Sequence, residues 1–386
     1  MNLLSELQSF ASAAVALRRR LHACPELGFH LPETMGLIRR ELTGWGVGFS
    51  SLGRGALAVN FGPKTGDGIL LRADCDALAG TEESGLSFAS RNGRMHACGH
   101  DLHTAILLGL VPFLKEREAS LSRPLRLLFQ PSEETLEGAL DAVNAGVCEG
   151  MTEAYMFHVT VGSDLPVGTV ILPPAGVTAP SADFFEIEVQ GKGCHGADPA
   201  SGIDPLAAAA RILLTLEHLP AREIPSSERA VLTVGSFQGG ESHNVLPNRA
   251  FLKGTVRCYG EGLRKTLQER IRAVSDGVGL AHGTKTRVNF SSGCPSLCND
   301  GALRQRAFDR LSSLLGDRFF AVPPSADRGT AGSEDFAVIS RRVPSVMMAL
   351  SAGGGGGFPL HHPKVVFDEE CILYGMAAFA SLALGT

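Results

Sequence analysis

No run in this sequence approaches the ~20 consecutive apolar residues of a membrane-spanning helix, so a membrane is not an expected partner. There is no cationic excess either. Lys and Arg number 35 against 40 Asp and Glu, the net charge is -5, and no basic stripe could follow a phosphate backbone. Nucleic acid is therefore not an expected partner. The nine cysteines lack framework spacing and are odd in number, which fits a reducing compartment better than a disulfide scaffold. Cys294 and Cys298 are near neighbours, without the second pair or the histidines of a closed zinc knuckle. An export leader is not legible: the apolar run 10–17 precedes its basic residues, Arg18 to Arg20, the reverse of signal-peptide order. That run reads as an amphipathic first helix, and a soluble, cytoplasmic protein is expected. The glycines 353–357 lack the Lys and Ser or Thr of a P-loop and read as a plain loop.

Against these absences stands one dense stretch, Met95-His-Ala-Cys-Gly-His-Asp-Leu-His103. It holds three histidines, a cysteine and an aspartate, the side chains that bind transition metals or move protons. An almost wholly apolar segment, 104–114, follows and reads as a buried helix. Asp101 is a candidate N-cap for it. A polar cluster at the mouth of a buried helix needs partners, and a metal supplies them.

Short apolar runs alternate with helical stretches from about residue 68. Gly68–Asp74, Leu125–Gln130 and Ala154–His158 read as strands, and each ends in polar chemistry: Asp74 and Asp76, Glu133 and Glu134, then His158. In open α/β sheets, sites form at the carboxyl ends of strands. Two adjacent carboxylates such as Glu133 and Glu134 point in different directions, so one can ligate a metal while the other faces substrate and takes a proton. Near residue 180 the pattern changes to β-α-β-β-α-β, with strands at 183–190, 230–237, 250–257 and 286–290 and helices at 205–219 and 261–276. That order is ferredoxin-like. The expected architecture is a catalytic α/β/α domain with a mostly parallel sheet, built from residues 1–178 and 293–386, with an inserted lid at 179–292.

Eight motifs in register then resemble a known family: Arg19-Arg-Leu-His22 with Pro25-Glu-Leu-Gly-Phe29, Leu71-Arg-Ala-Asp-Cys-Asp76, Met95-His-Ala-Cys-Gly-His-Asp101, Gln130-Pro-Ser-Glu-Glu134, Gly191-Lys-Gly-Cys-His195, Asn244-Val-Leu-Pro247, Gly332-Ser-Glu-Asp-Phe336 and Leu360-His-His-Pro363. The chain resembles the dinuclear metal amidohydrolases related to aminoacylases and carboxypeptidases (metallopeptidase family twenty). The branch is that of hippurate hydrolase, indole-acetyl-amino-acid hydrolases and N-acetyl-diaminopimelate deacetylase.

The resemblance implies two divalent ions per subunit, manganese or zinc, with cobalt and nickel compatible with the donors. It implies Cys98, His100, Glu134, His158 and His361 as ligands, His361 being preferred to His362 because the family's ligand precedes one residue and then proline. Glu133 resembles the general base, His195 a donor to the developing oxyanion, Asn244 its assistant, and Arg257 the group that binds the substrate's carboxylate. Asp74, Asp76, His96, Asp101 and His103 are expected behind the ligands; Glu334 and Asp335 are expected there or at a metal. The implied reaction is hydrolysis of a small N-acyl amino acid, by a homodimer or homotetramer. Rival readings are a dipeptidase, carboxypeptidase or carbamoyl hydrolase on the same architecture, a non-catalytic acyl-amino-acid binder, and a redox-active cysteine enzyme. The chain departs from the family pattern at Thr135-Leu-Glu-Gly-Ala139, where glycines usually follow the Glu pair, and in the glycine run before His361.

Overall fold

The structure is a computed structural model, described here for residues 3–323, 332–354 and 357–385. Two of the five consecutive glycines, 355 and 356, lie outside the described residues. The chain divides into two compact units. One comprises residues 1–178, 298–328 and 335–386; the other comprises 179–297 together with 329–334.

The first unit is built on an eight-stranded sheet of β1 (Ser50–Leu52), β2 (Ala56–Phe61), β3 (Gly68–Asp74), β4 (Leu125–Gln130), β5 (Met151–Thr160), β6 (Val170–Leu172), β7 (Phe319–Ala321) and β8 (Ser345–Ser351). Its spatial order is β1-β2-β4-β3-β5-β8-β6-β7. The four central strands β4, β3, β5 and β8 run parallel. β1 and β2 are antiparallel additions at one edge. β3 is buried at every position and β8 at all but one. Such strands read as continuous apolar runs because both faces of a parallel sheet are covered. The helices packing this core include α1 (Leu3–His22), α2 (Pro32–Gly44), α3 (His100–Glu116), α4 (Gly301–Leu315) and α5 (Cys371–Leu384).

α3 begins earlier than the apolar pattern suggested, and Asp101 is not its cap. Gly99 holds that position with φ +86°, and no side chain caps it. A Cβ at Gly99 would stand 2.3 Å from Val159 Cγ2, so only glycine fits between Cys98 and His100. β5 likewise starts three residues before the expected strand, at Met151.

The second unit carries a four-stranded antiparallel sheet of 181–190, 230–239, 249–258 and 285–294. Helices Pro205–Leu216 and Glu261–Ala281 cover one face over a core of Phe185, Ile187, Leu252, Ile212 and Ile271. The first helix starts as its sequence signals, with Asp204 Oδ1 accepting from the Leu206 and Ala207 amides and Pro205 in the first turn. It ends at Leu216, before a separate short helix, His218–Arg222. The last strand runs to Cys294, beyond the expected Phe290. Among the described residues, no helix is long and apolar enough to cross a membrane.

Candidate metal centre

The parallel strands of the first unit deliver chemistry to one edge. Asp74 ends β3, Gln130 ends β4 just before Glu133 and Glu134, His158 lies near the end of β5, and β8 leads on to His361. The start of α3 brings Cys98 and His100 to the same place.

Cys98 Sγ stands 3.3 Å from His158 Nε2 and 3.2 Å from His361 Nε2. Glu134 Oε1 lies 3.8 Å from His361 Nε2 and 3.9 Å from His100 Nε2. These donors form two overlapping triads, Cys98–His100–His158 and Cys98–Glu134–His361, with the donor atoms of each within 4.8 Å of one another. Glu133 Oε2 is 4.0 Å from His100 Nε2.

The ring nitrogens are oriented for this. His100 Nδ1 donates to the Asp76 carbonyl at 2.9 Å, leaving the Nε2 lone pair toward the pocket. His158 Nδ1 donates to the Val159 carbonyl at 2.7 Å, again leaving Nε2 as the outward donor atom. Burial, with the neighbouring His103 and His100, pushes His158 down to about 3, so its imidazole is neutral, as a ligand must be. His100 Nε2 and Glu134 Oε1 are both buried and have no hydrogen-bond partner. Buried polar atoms left unsatisfied cost ~1–3 kcal/mol each; a cation between them removes that cost. Burial raises the Cys98 thiol above its ordinary range, whereas metal coordination deprotonates a thiol outright. The donor set of one thiol, one carboxylate and three imidazoles therefore fits a pair of divalent ions.

Asp74, His100 and His103 also fall within ligand distance of one another, but His103 is already fully engaged. Its Nδ1 donates to Asp74 Oδ1 at 2.6 Å and its Nε2 accepts the Val159 amide at 2.9 Å. His103 thus ties the end of β3 to the strand bearing His158. Asp76 sits behind the Glu pair: Oδ1 accepts the Glu133 amide at 2.9 Å and Oδ2 the Glu134 amide at 3.1 Å. Two expected supporting residues behave differently. Asp101 does not touch a ligand histidine; its carboxylate receives Arg18 at 2.7 Å and His22 at 2.8 Å. His96 is buried with neither ring nitrogen hydrogen-bonded, and burial pushes it down to about 3. It orients no ligand.

Sequence reasoning passed over Arg72. This buried guanidinium bonds Asp74 Oδ2 at 2.8 Å, Gln130 Oε1 at 3.0 Å and Asp335 Oδ1 at 2.7 Å. Asp335 in turn accepts the Ala139 amide at 2.7 Å and Gln130 Nε2, so its two oxygens are taken up in structure. The signal was a lone cation inside a strand that is apolar at every other position before Asp74. The departure at 135–139 has a backbone reason as well. Gly138 is kept because a Cβ there would stand 1.8 Å from the Pro131 carbonyl oxygen. Leu136, by contrast, is a buried non-glycine residue with φ +59°, a conformation that costs ~1 kcal/mol or more for such a side chain.

The second unit holds the remaining expected residues. His195 is exposed on a two-residue strand paired with Val245–Leu246, and its Nδ1 accepts the Ala197 amide at 3.0 Å. The neutral ring therefore carries its proton on Nε2. Asn244 is next to that strand, its carbonyl receiving the Gly196 amide at 2.7 Å. Arg257 Nη1 donates to Ser333 Oγ at 2.8 Å. Glu334 also belongs to this unit.

Comparison with known proteins places the chain. Residues 70–385 match the peptidase family M20/M25/M40. The chain is 35% identical, over 98% of its length and 97% of the relative's, to an N-acetylcysteine deacetylase of Bacillus subtilis. It is 34% identical to an IAA-amino acid hydrolase ILR1-like protein of Arabidopsis thaliana, over 98% of this chain and 87% of that one. A crystal structure of a dinuclear metal binding peptidase from the M20 family of Bacillus subtilis superposes with a TM-score of 0.80 at 33% identity, covering 98% of each chain. This chain belongs to the M20/M25/M40 peptidase family.

Proposed function

We propose that this protein is a metal-dependent amidohydrolase that cleaves the amide of a small N-acyl amino acid to a carboxylic acid and a free amino acid. The observation that carries the reading is the convergence of Cys98, His100, Glu134, His158 and His361 into two triads that share a sulfur, with Glu133 beside them. The deacetylase and amino acid hydrolase activities named for its relatives support the substrate class.

Cys98, His100, Glu134, His158 and His361 would hold two divalent ions, manganese or zinc, with cobalt and nickel as alternatives. When bound, such ions lower the pKa of a water toward ~7 and polarise a carbonyl. Glu133 takes the proton of the attacking water as its oxygen bonds to the amide carbon. It returns that proton to the nitrogen as the carbon–nitrogen bond breaks. His195, protonated on Nε2, donates to the carbonyl oxygen as negative charge develops there. Asn244 assists, and Arg257 receives the substrate's carboxylate, a role suited to a planar bidentate cation. Asp76 and Asp74 keep the Glu pair and the histidines in place. The nine free cysteines support a reducing, cytoplasmic setting, and a homodimer or homotetramer completes the proposal.

The test is Glu133→Gln on a panel of N-acetyl amino acids, N-benzoyl amino acids and dipeptides. Metal stoichiometry is expected to stay intact while turnover of the acyl amino acids falls ~10²–10⁴-fold. Turnover of dipeptides alone, or a variant with undiminished rate, overturns the reading.

A further inference from the structure

Behind the metal centre lies a buried charge cluster that the hydrolytic reaction does not use. His22, the last residue of α1, is 1% exposed. Its Nδ1 stands 2.8 Å from Asp101 Oδ2 and its Nε2 stands 3.0 Å from Glu82 Oε1. A carboxylate only accepts, so a ring held between two of them must donate from both nitrogens. That requires the imidazolium. Each carboxylate leads to a different part of the pocket. Asp101 is in the first turn of α3, immediately after His100. Glu82 anchors the loop 80–93, where its Oε2 accepts the Ser90 amide at 2.7 Å. In the next residue of that loop, the Glu83 amide donates to the Pro363 carbonyl at 2.7 Å, two positions beyond His361.

His361 needs such support. Its backbone is left-handed, with φ +68°, which a histidine adopts only where its surroundings hold it. Its own amide donates to the Ala97 carbonyl at 2.9 Å, tying it to the residue before Cys98. The segment is thus held at two points, at His361 by Ala97 and at Pro363 by Glu83, and the second point runs back through Glu82 to His22.

We infer that His22 is a positioning residue for the metal centre: one doubly donating ring sets the helix turn that carries His100 and, through Glu82 and loop 80–93, the segment that carries His361. This rests on the metal-dependent reading above. Around the ring, Arg18 faces it from α1 and His96 from the segment just before Cys98, and Arg18 also reaches Glu369 at 3.1 Å. Arg19 reaches Glu369 as well, at 2.7 Å, so the cluster sets His22, Arg18 and Arg19 against Asp101, Glu82 and Glu369. Burial by itself would lower His22, but Asp101 and then Glu82 raise it to about 9.

The experiment titrates the metal-free full chain with Mn²⁺, and separately Zn²⁺, in competition with a chelator. It compares wild type, His22→Gln, Glu82→Gln and the double variant, and follows the melting of each metal-free protein. A glutamine amide cannot serve two carboxylates on opposite sides. Both single variants are expected to bind metal ~10–100-fold more weakly, and the double variant no more weakly than His22→Gln, because one path is cut twice. At saturating metal, KM for an N-acetyl amino acid returns to the wild-type value. Lower melting temperatures with wild-type metal affinity would show a merely structural role and overturn the inference, as would additive losses in the double variant. If His22→Gln does not fold, Glu82→Gln decides alone. Failure of the wild type itself to bind metal overturns the metal-dependent reading and this inference together.

Discussion

Asp76→Asn is the substitution whose consequences follow most directly from the geometry. The native carboxylate is fully buried and accepts two amides, Glu133 N at 2.9 Å and Glu134 N at 3.1 Å. Asparagine has the same shape but only one accepting oxygen. Whichever way the amide turns, one of the two backbone N–H groups meets an NH₂. The variant loses one charge-assisted hydrogen bond, worth ~1.5–3 kcal/mol, and leaves a buried donor facing a donor. The expected loss is ~2–4 kcal/mol in unfolding free energy, read by urea unfolding of the metal-free protein. The freed peptide is that of the proposed base or of its neighbouring ligand, so turnover should fall ~10–100-fold as well. A midpoint and a rate both within error of wild type would refute the reasoning, because they would mean that the Glu pair is held by something other than Asp76.

Other outcomes are expected. Arg72→Met leaves Asp74 and Asp335 buried without their cation and should cost ~3–5 kcal/mol in urea unfolding. His22 rises from 6.5 to about 9 on folding. A raised folded value stabilises fully below pH 6.5 and is lost as pH climbs through 9, so the metal-free protein should lose up to ~3 kcal/mol across that window. Denaturant unfolding at the two ends of the window measures the slope, which His22→Gln should flatten. His195→Ala should lower kcat ~10²–10³-fold while metal stoichiometry, read by elemental analysis, stays unchanged.

Much of this was legible because parallel α/β sheets put their chemistry in a predictable place. Gly68–Asp74 and Leu125–Gln130 were readable as apolar runs with polar ends, and the residues at those ends do lie at one edge. The β-α-β-β-α-β order from 181 to 294 came from simple alternation and the Asp204-Pro205 helix start. What was not legible depends on contacts distant in sequence. Nothing in the sequence around His22 points to its role, because its partners lie 79 and 60 residues away. Asp101 was read as a cap because capping is local, whereas its actual bonds go to α1. Arg72 makes its links to Gln130 and Asp335 across 58 and 263 residues. His96 shares the density of its neighbours without sharing their chemistry, because a place in a rich stretch does not give a side chain a partner.

Five side chains from separate segments are expected to bind two cations. Anomalous scattering from crystals of the full chain soaked in Mn²⁺ or Zn²⁺ addresses this directly. Two peaks are expected, within coordination distance of Cys98, His100, Glu134, His158 and His361 and ~3.5–4 Å apart, as in other two-metal sites. No peak, a single peak, or peaks away from these residues would contradict it.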